Sequence, residues 1–456
     1  LEEEGETRME IKEFMNKLLA ESKASDFSES ETYLNKSKNF EIRLYKGEID
    51  YYEENEEYGL AFRGLHKDKM GYSYTEKLDE AIINSILDNA KNNALIMEDD
   101  KEEIFKGSDN YKELRSLTGI YEQDRQLKIN LLKSIEEKIY ELDDRIRNIN
   151  YCIYADEKTG EQIINSKELN LNYTNDIGYI YVSVVAENEG EVHTATNYQL
   201  FRNIDEVDPD KFSRKIVNEA VNQFGAKSIE SGQYSIILRN EVMIDILSTF
   251  SSTLSAENVQ KGLSLFKGKL GEKVAASKVN LVDDPFFEKG YRKVPFDSEG
   301  TAAQYKEVIN DGKLTTFLHN LKTANKAGVE TTGNAYRSSH KSKISISPTN
   351  MYLKKGENTF ESLLSNLNEG LIIEDVQGLH SGANQVSGDF SLSARGFYVK
   401  DGEINRPVEQ ITISGNFLQL LKDIKLLGND FKMGLPRSGH MGSPSVLIET
   451  LDVSGS

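Results

Sequence analysis

Hydrophobic residues in the first half of the chain switch twice from a two-residue period to a helical one. Phe40, Ile42 and Leu44 share one strand face, Gly47 turns the chain toward Ile49 and Tyr51, and Leu60 and Phe62 continue the alternation. Thr75 then offers an N-cap, and Leu78, Ala81, Ile82, Ile86 and Ala90 recur at helical spacing. The second instance begins with a long helix marked by Leu127, Leu131, Ile135, Ile139, Leu142 and Ile146. Strand-like runs follow at 149–155, 161–173 and 177–186. It closes at "DPDKFSRKIVNEAVNQFG", where Asp208 caps, Pro209 suits the first turn, Phe212, Ile216, Ala220 and Phe224 line one face, and Gly225 ends the helix. Such a pattern demands mixed α+β units, in which antiparallel sheets are closed by helices.

A chain of 456 residues exceeds what one core organises, and at about 150 residues per domain the expectation is about three. The weakly apolar stretch 97–113 marks one boundary, and Met9 is the expected native start. The expected domains are an N-terminal α+β unit at 9–100, a middle α+β unit at 110–226 and a larger, strand-rich C-terminal unit at 230–454. The first two echo each other without a convincing shared register.

Charge and side-chain chemistry remove several function classes. Lys and Arg number 55 against 75 Asp and Glu, a formal charge of -20, and the basic residues form no separate face, so direct nucleic-acid or anionic-membrane binding is not expected. No run approaches the roughly 18 apolar residues of a membrane span, and the N-terminus lacks a basic region followed by an apolar one; the cytoplasm is the expected location. Cys152 is the single cysteine and sits in the strand-like "NINYCIYAD", where an inert buried thiol is expected. The six histidines, at 66, 193, 319, 340, 380 and 440, are too scattered for a local zinc signature. Ser264 to Lys267 fits Ser-x-x-Lys without its companion motifs, and no phosphate-binding glycine loop occurs. Within "GLHSGANQVSGDFSLSARGF", 378–397, adjacent residues of an extended segment face opposite ways, so His380 would not readily serve Ser381.

Several long strings are more specific. "YKGEIDYYEENEEYGLAFRG", the stretch 295–337 that begins "PFDSEGTAAQYKEVINDG", the stretch 378–421, and "LLGNDF" with "GSPSVLIETLDVSG" together resemble the TldD/PmbA family, peptide-processing proteins once described as modulators of DNA gyrase. The resemblance implies three α+β domains and a proteolytic complex of two homologous subunits, TldD and TldE (PmbA). The TldD branch carries His-Glu-x-x-x-His on a helix and a cysteine near the C-terminus. There the histidines hold zinc, and the glutamate takes a proton from zinc-bound water. Counting back from "KGLSLFKGKLGEKVA", those motif positions fall here on Leu247, Ser248 and Ser252, and the cysteine position falls near Phe431. No His or Cys lies from 241 to 270.

The resemblance is therefore to the TldE branch. It implies no catalytic residue and no cofactor in this chain, with zinc on a TldD-like partner subunit that cuts unfolded peptides; for the isolated chain a homodimer and a monomer both stay open. The "HSGANQVSGDF" loop is characteristic of that branch, and His380, Ser381, Asn384, Ser387 and Asp389 are its candidates for contact with peptide or partner. A tight turn in which Asn and Asp satisfy backbone amides is the alternative for this loop. Two other functions stand beside the first: a stand-alone homodimeric peptide binder or regulator, and a self-sufficient hydrolase using His380, Ser381 and Asp389.

Overall fold

The computed structural model describes residues 10–96, 105–114, 119–436 and 440–456. Met9 and positions 97–104 of the expected boundary lie outside them, and 105–114 carry no helix or strand. The N-terminal half is built from α1 (Ile11–Ala24), β1 (Glu29–Tyr45), β2 (Glu48–His66), β3 (Lys69–Thr75), α2 (Ile83–Ile96), α3 (Arg125–Leu142), β4 (Ile146–Asn165), β5 (Asn170–Asn188), β6 (Glu191–Phe201) and α4 (Pro209–Val221).

The two segments expected as separate units contribute to one antiparallel sheet, ordered β3-β2-β1-β4-β5-β6. Their first strands are the seam: β1 pairs with β4 from Glu31↔Asn165 to Arg43↔Ile153. The echo between the halves is thus real, three strands and two helices each, meeting back to back. The helices lie on one face. Phe14, Met15 and Leu18 of α1 and Ile86, Leu87 and Ala90 of α2 pack with Leu34, Leu60 and Phe62. Ile135 and Ile139 of α3 and Phe212, Ile216 and Ala220 of α4 pack with Phe40, Ile42, Ile180 and Val182. Full burial of each large apolar side chain contributes roughly 1.5–3 kcal/mol.

Local signals behaved unevenly. Asp208 caps α4 by accepting from the Lys211 amide, with Pro209 in the first turn, as its sequence requires. Thr75 is no cap; Asp79 accepts from the Ala81 amide and starts a 3-10 turn that feeds α2. The face of α3 is rotated, with Leu127 exposed while Lys128 and Glu136 are buried. Lys128 is neutralised by Asp156, 2.5 Å away and equally buried. Ile146 belongs to β4, and the run at 161–173 is the end of β4, a turn and the start of β5.

The opposite face of the sheet receives the C-terminal unit. Phe296 packs with Tyr33, Ala61, Ile163 and Leu169, and ions cross the same boundary. Buried Arg63 donates to both oxygens of Glu31 at 2.7 and 3.2 Å and lies 3.5 Å from Glu299. Arg292 donates to Glu161 at 3.1 Å. The C-terminal unit begins with β7 (Gly232–Leu238) and α5 (Asn240–Phe250). β7 is flanked by parallel Gly370–Gln377 and antiparallel Val446–Ser454. Strands Asp389–Lys400 and Glu403–Asn416 continue the order, and the latter also pairs with Val446–Ser454, which closes a five-stranded ring. Met243, Ile246, Leu247 and Phe250 of α5 share one core with Ile236, Leu238, Ile373, Ile413 and Ile448 of this ring. The Phe250 ring stacks on Phe417 at 4.5 Å.

Candidate functional site

The helix α5 carries the positions that the sequence marks for attention. Leu247 faces the core and is 3% exposed. Ser248, one residue on, lines a cleft between the sheet and the C-terminal unit. Ser252 lies just beyond the helix, and its hydroxyl donates to Gln385 Oε1 at 2.7 Å. Phe431 is elsewhere, edge-on to Phe287 and Tyr352 with centroids at 5.6 and 5.4 Å. An aliphatic side chain, two hydroxyls pointing into separate surroundings and a phenyl ring do not make a zinc ligand set. Among the described residues no group of three His, Cys, Asp or Glu is placed to hold a metal ion.

The 378–389 loop is a hydrogen-bonded turn. His380, Ser381, Asn384, Ser387 and Asp389 are all exposed. Ser381 Oγ donates weakly to the Gly378 carbonyl at 3.4 Å, away from His380. Asn384 Oδ1 accepts from the amides of Val386 and Ser387 at 2.9 and 3.2 Å. Asp389 accepts from Asn416 Nδ2 at 2.9 Å, and that bond, with one from Ser387, holds its carboxyl below the usual range. The asparagine and aspartate therefore satisfy local donors, as in an Asx turn. His380, Ser381 and Asp389 form no nucleophile, base and orienter series. Gln385, which the sequence did not single out, ties this turn to α5 by accepting from Ser252 and donating to the Thr249 carbonyl at 2.9 Å.

Other sequence candidates resolve as structure. The Ser264 hydroxyl is buried, donating to the Thr253 carbonyl at 2.5 Å and accepting from the Phe266 amide at 3.0 Å. Cys152 is buried, and desolvation pushes its thiol far above the ordinary value, so the thiolate is not formed.

The cleft beside Ser248 has a volume of about 400 Å³ and carries charged side chains from several elements. Thr194, Ala195, Thr196 and Tyr198 of β6 line it; β6 is the sheet's outer strand and, among the described residues, pairs with β5 alone. Glu219 comes from α4 and Gln223 from the turn just after it, Glu241 and Asp245 from α5, and Glu374, Asp375 and Arg395 from the ring. The cations there are engaged. Glu241 receives Lys215 and Lys432, each at 2.9 Å. Arg239 donates to Asp430 at 3.1 Å and Arg395 to Asp375 at 3.1 Å. Burial alone would raise the Glu241 carboxyl, but Lys432 and Lys215 hold it far below the usual carboxylate range. Glu374 behaves oppositely. Burial, reinforced by the charge of Glu219 and opposed by Arg239, pushes it up to about 7. It is the extra residue of a β-bulge, falling between the pairs Ile373↔Gly396 and Asp375↔Arg395, and such bulges re-aim a side chain. Sequence reasoning missed these residues because they come from segments separated along the chain, brought together only by folding. The one local signal was a pair of acids inside the apolar "GLIIEDVQ".

A sheet with helices on one face, joined across the other to a ring-closed strand-rich unit, defines a multidomain α+β protein with a polar cleft at the junction. Comparison with known proteins identifies it further. The family models of the PmbA/TldA metallopeptidases match along the chain: domain 1 at 30–94, the central domain at 120–224 and the C-terminal domain at 231–455. The chain belongs to this family, known also as TldD/PmbA. It is similar to a Thermotoga maritima protein described as a modulator of a DNA gyrase, with 35% identity, a TM-score of 0.90, and coverage of 98% of this chain and 100% of that one. The fold also matches TldE from Thermococcus kodakarensis, with a TM-score of 0.89 at 19% identity, covering 97% of this chain and 100% of that one. A relative from Escherichia coli O157:H7, the metalloprotease PmbA, is 24% identical over 329 residues, which is 72% of this chain and 69% of that protein. No helix among the described residues is long and apolar enough to cross a membrane.

Proposed function

We propose that this chain is a TldE-like, non-catalytic subunit of a two-component metallopeptidase, which helps to hold unfolded peptides while a TldD-like partner subunit cuts them with zinc in the cytoplasm. The observation that carries this reading is the composition of α5 and its surroundings: Leu247 is spent on the core, Ser252 on Gln385, and Phe431 on an aromatic cluster. The chain's own contribution is then binding. Among the described residues β6 has an unpaired strand edge, and its Thr194, Ala195, Thr196 and Tyr198 line the cleft. An extended peptide can add there through main-chain hydrogen bonds, with little demand on its side chains.

The test is to prepare the chain alone, and together with a cognate subunit that carries His-Glu-x-x-x-His, and to measure zinc content and cleavage of an unfolded peptide. Cleavage and zinc are expected only with the partner. Robust cleavage by the isolated, chelator-treated chain would overturn the reading, and a Ser381→Ala variant then reports whether the exposed turn is responsible.

A further inference from the structure

The cleft beside α5 contains acceptors without donors. Glu374 makes no hydrogen bond or ion pair among the described residues, although it stands beside Arg239 and Arg395, because those cations are bonded to Asp430 and Asp375. Glu219 is held only by Lys215 at 3.6 Å, and Lys215 also serves Glu241 at 2.9 Å. Gln223 is 2% exposed, lines the same cleft, and its Oε1 finds no donor. A buried carbonyl oxygen left unpaired costs about 1–3 kcal/mol, so a fold that keeps one beside two under-compensated carboxylates is set up for a guest that donates. Among the described residues no group of three His, Cys, Asp or Glu is placed to hold a metal ion. A primary ammonium fits: it carries one positive charge and three N–H donors that can point to three separate acceptors.

We propose that this cleft binds the ammonium group of a peptide, with Glu374, Glu219 and Gln223 as its acceptors. The inference rests on the peptide-binding reading above and deepens it. The position explains the geometry: the acceptors lie beside the open edge of β6, so a chain added as a seventh strand would bring an amine to them. That amine can be a free N-terminus or a lysine side chain, and the chemistry is the same.

The experiment uses the full chain and one short peptide of Ser, Thr and Val, labelled at its C-terminus, in three forms: free at the N-terminus, N-acetylated, and N-acetylated with an internal lysine. Binding is read by fluorescence anisotropy. At least one amine-bearing form is expected to bind roughly tenfold more tightly than the neutral form, the usual worth of a charge-assisted hydrogen bond. Which form gains tells the N-terminus from the side chain. Glu374→Gln and Glu219→Gln, both isosteric, are expected to erase the preference of the amine-bearing forms over the neutral one. Equal binding of all three forms overturns the ammonium site and leaves peptide binding intact. A preference that survives both variants also overturns it. No binding of any form sinks both readings together.

Discussion

Glu374→Gln is expected to stabilise the protein, and to do so only where the carboxyl is ionised in the unfolded chain. In the folded chain Glu374 keeps its proton up to about pH 7, against an ordinary value of 4.5. Burial is the main cause, followed by the charge of Glu219, with Glu241 adding and Arg239 and Arg395 opposing. A carboxyl raised in this way is a liability at high pH. Below about 4.5 both states hold the proton and nothing is lost. Between 4.5 and 7 the unfolded chain ionises and the folded one does not, so stability falls, and above 7 the full cost is present. The gap between 4.5 and about 7, at about 1.4 kcal/mol for each tenfold change in proton affinity, corresponds to roughly 3 kcal/mol. Water reaching this partly exposed group reduces that to about 1–2 kcal/mol. The neutral glutamine removes the cost, so the variant should gain about that much at pH 8 and about a quarter of it at pH 5. Urea unfolding followed by circular dichroism and tyrosine fluorescence measures both; the chain has no Trp and 22 Tyr. A gain that is the same at both pH values, or a loss at pH 8, would show that Glu374 ionises like a surface carboxylate and would remove the reason to regard the cleft as awaiting a cation.

Other consequences follow from particular contacts. Installing Leu247→His, Ser248→Glu and Ser252→His together should not create a zinc enzyme, because position 247 lies in the core and Phe431 supplies no ligand; one zinc per chain by elemental analysis would contradict this. Arg63→Met leaves Glu299 buried without its cation and Glu31 with only Arg337, 3.8 Å away, and should cost about 3–5 kcal/mol, read as a lowered thermal midpoint. Gly396→Ala places a methyl against the Ile372 carbonyl and should cost about 1–3 kcal/mol in the same assay, since the two strands must part to admit it. Gln385→Ala cuts the turn at 378–389 loose from α5; hydrogen exchange of the amides at 384–388 should quicken while global stability changes by less than about 1 kcal/mol.

What the sequence by itself determined is what neighbours along the chain can decide. The helix α4 was legible because its cap, its proline and its apolar face lie within one short stretch, and hydrogen bonds of that range form whatever the rest of the protein does. The hairpin around Gly47 was legible for the same reason, its glycine at φ +82° taking a conformation that costs other residues more. Long motifs in order also carried the family. Polar stretches misled wherever burial was arranged from afar. "ESETYLNKSKN", the first half of β1, reads as loop, yet becomes a central strand because β2 and β4 clothe its backbone on both sides. Lys128 and Glu136 face inward on α3 because Asp156 and the Gly47 amide await them. β6 went unrecognised, although it forms the edge that makes the cleft.

The tertiary structure alone decided that the N-terminal and middle segments share one sheet, since strand pairing across more than a hundred residues leaves no local trace. It decided that the 378–389 segment is a self-satisfied turn, because the partners that occupy its polar groups include Asn416. It also placed Glu374, Glu219 and Gln223 around one space. A sequence lists such acceptors but not which donors are already taken, and that imbalance exists only once the chain has folded.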